Sequence, residues 1–356
     1  MNKFIKILAL TVATGSVVTL AACGVSSSNK SATSANWNTR VTANDLNSSS
    51  EWLTGKECAT YAVSYKKGAN TAFSLDYDCD SAQYSTVFYA KQFDWATDTR
   101  SEFIAEGKEY VYVYETSLDI SGTYTKGEEV HAFTDSVTTV SYFRSASKNL
   151  QPIYSKQVIK NTAPAAPGGG YITLDSVYET HYSKDCKKAI TVETPASGEA
   201  TEKTVSTSSS YSLYDSSYSG IFLRAMAMTG THSFRVFTPQ SATMVMARSS
   251  GEKAAVLNRE SEAMIAAALD AAVAADYLYV ADKDENDVNV YSYNAITYGS
   301  GDAMAGPSFT YWFATVKSDS FNAARGVMLK YVMPMSFNAG SLTFTLRSLE
   351  KQALTT

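Results

Sequence analysis

Three histidines, His131, His181 and His232, are the residues to weigh first for chemistry, because imidazole titrates near neutral pH and is the commonest metal ligand. Glu128 and His131 stand three apart, as a ligand pair on a helix would, but the residues around them alternate as a strand does, which sends the two to opposite faces. Glu179 and His181, two apart, share a strand face. No third ligand stands near them in the chain, so metal binding or acid–base catalysis lacks a full residue set. The run 282–287 offers oxygens at the first, third and fifth positions of a calcium loop through Asp282, Asp284 and Asn286. Asp287 occupies the place of the glycine such a loop needs, and Tyr293 that of its bidentate glutamate, which excludes an EF-hand. There is no Gly-x-Ser-x-Gly and no cysteine–histidine context for a nucleophile, and Gly168 to Gly170 lacks the Gly-Lys-Ser/Thr ending of a phosphate loop. The residues therefore point to a non-catalytic protein, with no cofactor and no metal.

Thiol chemistry is the other candidate. The chain carries Cys23, Cys58, Cys79 and Cys186. Cys58 and Cys79 flank an expected hairpin, strands 59–66 and 71–77 turning through Lys67-Gly68-Ala69-Asn70. A two-residue loop would place the cysteines opposite each other, whereas a three-residue loop aligns Tyr61, Val63 and Tyr65 with Tyr77, Leu75 and Phe73 on one face. The hydrophobic register is favoured. A bulge near Asp78 would restore the cysteine pairing, so a Cys58–Cys79 disulfide, worth about 3 kcal/mol, stays open. Cys186, in the turn-like run Asp185-Cys186-Lys187-Lys188, reads as an incidental thiol.

Cys23 has a different context. Lys3 and Lys6 precede an apolar run over 7–22 broken only by small residues, the layout of a signal peptide. The run is short for a membrane span. Leu20-Ala21-Ala22-Cys23 followed by Gly24 resembles the lipobox of bacterial lipoprotein precursors. The resemblance covers this leader alone and implies cleavage before Cys23, diacylglycerol on its sulfur, and a protein held on the extracytoplasmic side of a membrane. Residues 23–50, dominated by Ser, Thr, Asn and Ala, then form a tether too poor in apolar surface to order itself. Without a leader that holds two lysines and no acid, 28 Lys+Arg face 35 Asp+Glu, which argues against nucleic acid as a partner.

The elements that must position everything else lie in residues 51–356, read as one β-rich domain with a break at 161–170, Asn-Thr-Ala-Pro-Ala-Ala-Pro-Gly-Gly-Gly, as its one internal boundary candidate. Period-two alternation marks strands at 84–90, 102–106, 109–115, 117–124, 128–133 and 136–144, and further ones at 171–182, 188–194 and 201–214. Within 109–115, Tyr110, Tyr112 and Tyr114 take one face and two valines the other. Short connections favour an antiparallel meander. Later strands are expected at 233–238, 243–248, 277–280, 288–293, 308–316, 328–333 and 341–347, a short apolar segment at 221–228, and a short helix from Ser318 or Ser320 to Arg325. One long helix is expected over 252–276, with Met264, Ile265, Ala268, Leu269, Ala272 and Val273 as its apolar stripe.

Nine of the ten methionines fall between Met226 and Met335. Methionine is an adaptable lining for an apolar cavity, so Met226, Met244, Met246, Met264, Ile265 and Leu269 are the expected lining of a ligand site. The fold class expected is α+β, mainly antiparallel β: a large curved sheet or half-barrel covered by one amphipathic helix. By analogy of fold this looks like the half-barrels that carry lipids or lipoproteins across a cell envelope. The expected partners are the membrane, through Cys23, and a lipid, lipoprotein or envelope protein. A module acting through tyrosine-rich sheet faces is the alternative, and an enzyme built on Glu179 and His181 the third.

Overall fold

The computed structural model describes residues 53–68, 75–146, 149–161, 175–207, 215, 230–240, 242–277, 289–298, 304–315, 326–334 and 340–354. The expected segments 221–228 and 318–325, the Asp282 loop, Cys23 and the tether lie outside them.

Fourteen antiparallel strands form one sheet. The first half of the chain supplies β1 (Gly55–Lys67), β2 (Leu75–Asp94), β3 (Lys108–Lys126), β4 (Glu129–Ala146), β5 (Asn149–Lys160), β6 (Ser176–Tyr182), β7 (Lys188–Pro195) and β8 (Thr201–Ser206). The second supplies β9 (Gly230–Thr238), β10 (Thr243–Val256), the helix α1 (Ala263–Ala274), β11 (Asn289–Tyr298), β12 (Met304–Thr315), β13 (Gly326–Pro334) and β14 (Gly340–Ala353). The order across the sheet is β8-β7-β6-β5-β4-β3-β2-β1-β14-β13-β12-β11-β10-β9. The chain thus starts in the middle, walks out to one edge, restarts at the other edge and walks back until β14 lies beside β1. Residues 162–174 connect β5 to β6, which are direct neighbours, with Lys156 opposite Glu179.

Alternation explains the strands and their faces. In β3, Tyr112, Tyr114, Leu118, Ile120 and Tyr124 point to one face and are buried. They share a core with Tyr61, Tyr84 and Phe88 from the strands before them and with Tyr311, Tyr331, Leu342, Phe344 and Leu346 from the other half. The Tyr114 hydroxyl hydrogen-bonds that of Tyr84 and is close enough to Tyr331 to raise the cost of ionising it. In a flat sheet β3 and β13 would be four steps, on the order of 19 Å, apart. The sheet is therefore strongly curved, with this core on its concave face. Ring contacts of Tyr311 with Tyr331, Tyr331 with Phe344 and Phe344 with Tyr84, at centroid distances of 4.5, 5.0 and 5.1 Å, run across that face.

On the convex face, among the described residues, 95–107 strap across part of the sheet. There Val111, Phe93, Trp95 and Ile153 make a second, smaller core. Arg144 and Lys184 lie over the Trp95 ring, and the indole N–H donates to Glu109. The strap holds the short 3-10 turn Ser101–Phe103, not the strand expected over 102–106.

Two glycines are dictated by close approach. Gly340 opens β14 opposite Lys67 with φ +140°, and a Cβ there would collide with the Lys66 carbonyl. A Cβ on Gly122 would strike the Asp78 carbonyl where β2 bulges between Cys79 and Ser81.

At the far edges the sheet rolls into itself. Phe237, near the end of β9, is fully buried against Tyr182 and Ala189, on the face that also carries Tyr178. Asp215, 2% exposed, makes one parallel bridge with Phe237 and accepts hydrogen bonds on Oδ2 from Ser155 Oγ (2.5 Å) and the Tyr182 hydroxyl. Gln240 donates to Gln157 on β5 across the same seam. The edges meet through side chains, and the ladder stays open between β8 and β9.

The expected long helix is shorter and later. Residues 252–256 continue β10, Lys253 pairing with Tyr291, and α1 begins only at Ala263. Residues 278–280 of the strand expected at 277–280 lie outside the described residues, and the strand expected at 288–293 is part of β11, which pairs with β10 on one side and β12 on the other.

Candidate functional site

Two of the six residues expected to line a ligand site, Ile265 and Leu269, fall on the concave face beneath α1. Ile265 and Leu269 are buried there, 1% and 5% exposed, together with Ala266, Ala268 and Ala272. Met264 corrects the expected stripe: it is 47% exposed, because one residue before Ile265 is a 100° rotation and carries it off the inward face. Met226 lies outside the described residues. Met244 and Met246 lie on β10, opposite Phe237 and Arg235 of β9 and four steps along the sheet from β14, against which α1 packs. The structure thus brings Ile265 and Leu269 together and leaves Met264 out.

The helix is weakly fixed for its position. Its inward surface consists of three buried alanines, Ile265 and Leu269, with Val273 half-buried against the same core, and burying Ile and Leu is worth about 1.5–3 kcal/mol each. Its N-cap, Glu262, makes no side-chain capping bond. Ahead of it Asn258 Oδ1 accepts from the backbone N–H of Glu260 and Ser261, both at 3.1 Å, and Arg259 forks onto Asp270 at 3.0 and 2.9 Å. Its outer side shows Ala263, Met264, Ala267, Ala271 and Ala274, with Asp270 the only charge. Alanine dominates both sides, so the helix is less amphipathic than its sequence suggests.

One polar bond ties the helix end to the sheet. Just past α1 the Tyr277 hydroxyl, on a residue 1% exposed, donates to Glu57 Oε2 of β1, itself 4% exposed. Sequence reading missed this pair. The available signal was an acid in the stripe Glu57-Ala59-Tyr61-Val63-Tyr65, whose other members face the core.

Glu179 and His181 acquire a third group. Tyr154 on β5, opposite His181, donates its hydroxyl to Glu179 Oε1 at 3.1 Å, and His181 Nε2 is 3.5 Å from the same oxygen. The Tyr154 and His181 rings meet edge to face at 5.0 Å. His181 Nδ1 is buried with no hydrogen-bond partner. Burial lowers the imidazole pKa, against the opposing pull of Glu179 and with the help of Arg100. The folded state therefore prefers the neutral ring, so stability falls as pH drops below the ring's unfolded pKa of about 6.5, until the folded ring also protonates. His181→Gln is expected to flatten the loss of stability between about pH 7 and 5. Urea unfolding at both pH values measures it, and an unchanged loss would count against this assignment. His131 pairs with Glu129 at 3.3 Å and stacks on Tyr124, while Glu128 stands in the turn before β4, so the two do not act as a ligand pair, as the strand reading required.

The Cys58–Cys79 disulfide is corrected. Both cysteines are free and half-buried, because the hairpin register places Cys58 opposite Val87 and Cys79 opposite Gly122 of β3. Cys186 is buried, with φ +53° and its thiol within 3.4 Å of the Pro152 carbonyl. Burial pushes that thiol up to about 12. In native protein at neutral pH, iodoacetamide should label Cys186 last of the three, and only after unfolding. Mass spectrometry of the labelled peptides reports it, and early labelling of Cys186 would contradict the packing.

Tyr112 and Tyr114 are buried and Tyr110 is half-buried, so these three do not form an exposed tyrosine face. Among the described residues no three His, Cys, Asp or Glu side chains form a metal-ligand group, and no helix is long and apolar enough to cross a membrane. Compared with protein-family models, curated proteins and solved structures, the chain matches none.

Proposed function

We propose that this chain is a lipid-anchored, extracytoplasmic binding protein that takes up an apolar molecule, such as a lipid or the acyl part of a lipoprotein, between its curved sheet and α1, without catalysis. The observation that carries this reading is the cover itself. An alanine-rich helix, whose large inward side chains are Ile265, Leu269 and the half-buried Val273, lies over the concave apolar face of the sheet. An apolar guest can replace such a small footprint at modest cost, because the displaced area is small and the exposed face beneath is aromatic and aliphatic. The lipobox resemblance at Cys23 supplies the setting, a membrane surface where apolar cargo is at hand.

Native mass spectrometry of the delipidated protein, purified from its own host, tests this directly. A co-purifying lipid or acylated peptide is the expected result. A protein that appears only at its bare mass and takes up no dansylated fatty acid would overturn the reading.

A further inference from the structure

We infer that the guest is an amphiphile whose polar end is uncharged and hydroxylated, of the glycerol or sugar kind, and that a band of threonines inside the curved sheet receives this head. The inference rests on the binding function proposed above and names the chemistry of its cargo. Thr86, Thr116, Thr139 and Gln157 stand side by side on β2, β3, β4 and β5, all on the concave face and all buried. They cross the middle of the main core. On one flank the neighbouring row is Tyr84, Leu118, Val137 and Ile159. On the other, Phe88 and Tyr114 lead into a second buried polar run, Ser141, Ser155, Thr180 and Thr191. Toward the seam these groups are bonded within the protein: Thr180 to Thr191 at 2.8 Å, Ser155 to Asp215, and Gln157 to Gln240. At the centre of the band, however, Thr116 Oγ1 and Thr139 Oγ1, on directly opposed residues 4% and 1% exposed, have no hydrogen-bond partner.

A buried hydroxyl without a partner destabilises the protein that carries it. Valine has the same shape and the same preference for strands, and would fill both positions without that loss. Two adjacent hydroxyls that harm the empty fold, in the middle of an apolar core, gain their use when a guest bonds them. The buried charges decide what kind of head fits. Among the described residues they are Glu57, Asp135 and Asp215, all carboxylates, and no lysine or arginine is buried. Glu57 lies in the inward stripe of β1, Asp135 stands opposite Ile120, and Asp215 reaches the same interior through Ser155 and Tyr182. A carboxylate or phosphate head would therefore enter a space of low dielectric beside like charge, with no buried cation to meet it. A cationic head would have to displace partners that all three carboxylates already have. The groups left unbonded are hydroxyls, which donate and accept as the hydroxyls of a polyol do.

Calorimetric titration of the delipidated full chain with monolaurin, laurate and dodecylamine, each below its micelle concentration and at about pH 8, where laurate is ionised, tests the head group. The three carry chains of equal length and differ in their polar end. Monolaurin is expected to bind about tenfold or more tightly than either charged probe. The double variant Thr116→Val with Thr139→Val should lose about fivefold or more in affinity for monolaurin, keep the wild-type affinity for laurate, and melt at the wild-type temperature or above it. A role in stability alone would not produce that combination. Laurate or dodecylamine bound as tightly as monolaurin overturns the assignment of the head group and leaves the binding function standing. So does a valine variant that binds monolaurin as wild type does. The comparison of the three probes on wild-type protein decides the matter even where the variant fails to fold. Uptake of none of the three overturns the assignment as well, and the binding function falls with it when the protein purified from its host also shows only its bare mass.

Discussion

A chain that lacks residues 340–354 will show no cooperative unfolding transition. β14 lies between β1 and β13 in the middle of the sheet, so its loss cuts the one ladder that joins the two halves of the molecule. It also removes Leu342, Phe344, Leu346 and Leu349, all buried, at about 1.5–3 kcal/mol each. That comes to about 6–12 kcal/mol, comparable to the whole net stability of a typical domain. Thermal denaturation followed by circular dichroism, together with limited proteolysis, measures the effect. A truncated chain that melts cooperatively within a few degrees of the full one would show that the halves fold independently.

Asp215→Ala is expected to cost about 2–3 kcal/mol and to loosen the seam where the sheet rolls onto itself. The carboxylate accepts from Ser155 and Tyr182 at one oxygen, and its removal takes the acceptor from two buried hydroxyls. Part of that cost is returned because a buried charge is no longer desolvated, which is why the expected value is not larger. Asp215→Asn, whose amide oxygen still accepts, should cost less than half as much. Urea denaturation gives both values. Hydrogen exchange should place the change at β5, β6 and β9, and a pair of variants equal to wild type would mean the seam is held by Phe237 and Tyr182 alone.

How much of this was legible beforehand depends on the range of the interaction. The strands of the first half follow from alternation, and Tyr112 and Val111 take opposite faces as their spacing requires. The polar stretch Glu115-Thr116-Ser117 reads as a break between two strands, but β3 runs straight through it, with Thr116 buried and paired with Thr86 and Thr139. Residues 252–256 have the composition of a helix, and pairing with β11, Glu252 with Ser292 and Val256 with Asn289, overrides that local preference. The register favoured for the first hairpin, Tyr61 against Tyr77, failed because β2 is longer than its alternation suggests: Tyr61 lies opposite Tyr84, Tyr77 pairs with Tyr124 of β3, and the disulfide that had stayed open does not form. Of the site, Ile265 and Leu269 were readable from helical spacing. Tyr277 and Glu57 were not, because they are 220 positions apart and no periodicity links them. Asp215 bears on residues 60 and 33 positions away, and its burial arises only when the sheet curls.

The adjacency of β1 and β14 has a further effect, on the order in which the molecule assembles. Each half is a run of neighbouring hairpins that can zip locally, but Tyr61 must find Leu346 across nearly the whole chain. Closing a loop of that size carries an entropic cost of about 4 kcal/mol beyond that of a four-residue turn. The β1–β14 ladder should therefore form late, after both meanders, and set the folding rate. Until it does, β1 presents a bare, aromatic-rich edge to any other strand in reach. The backbone bond from Leu354 N–H to the Thr54 carbonyl, 2.9 Å long, is among the last to close, and it sets the start of β1 beside the end of β14.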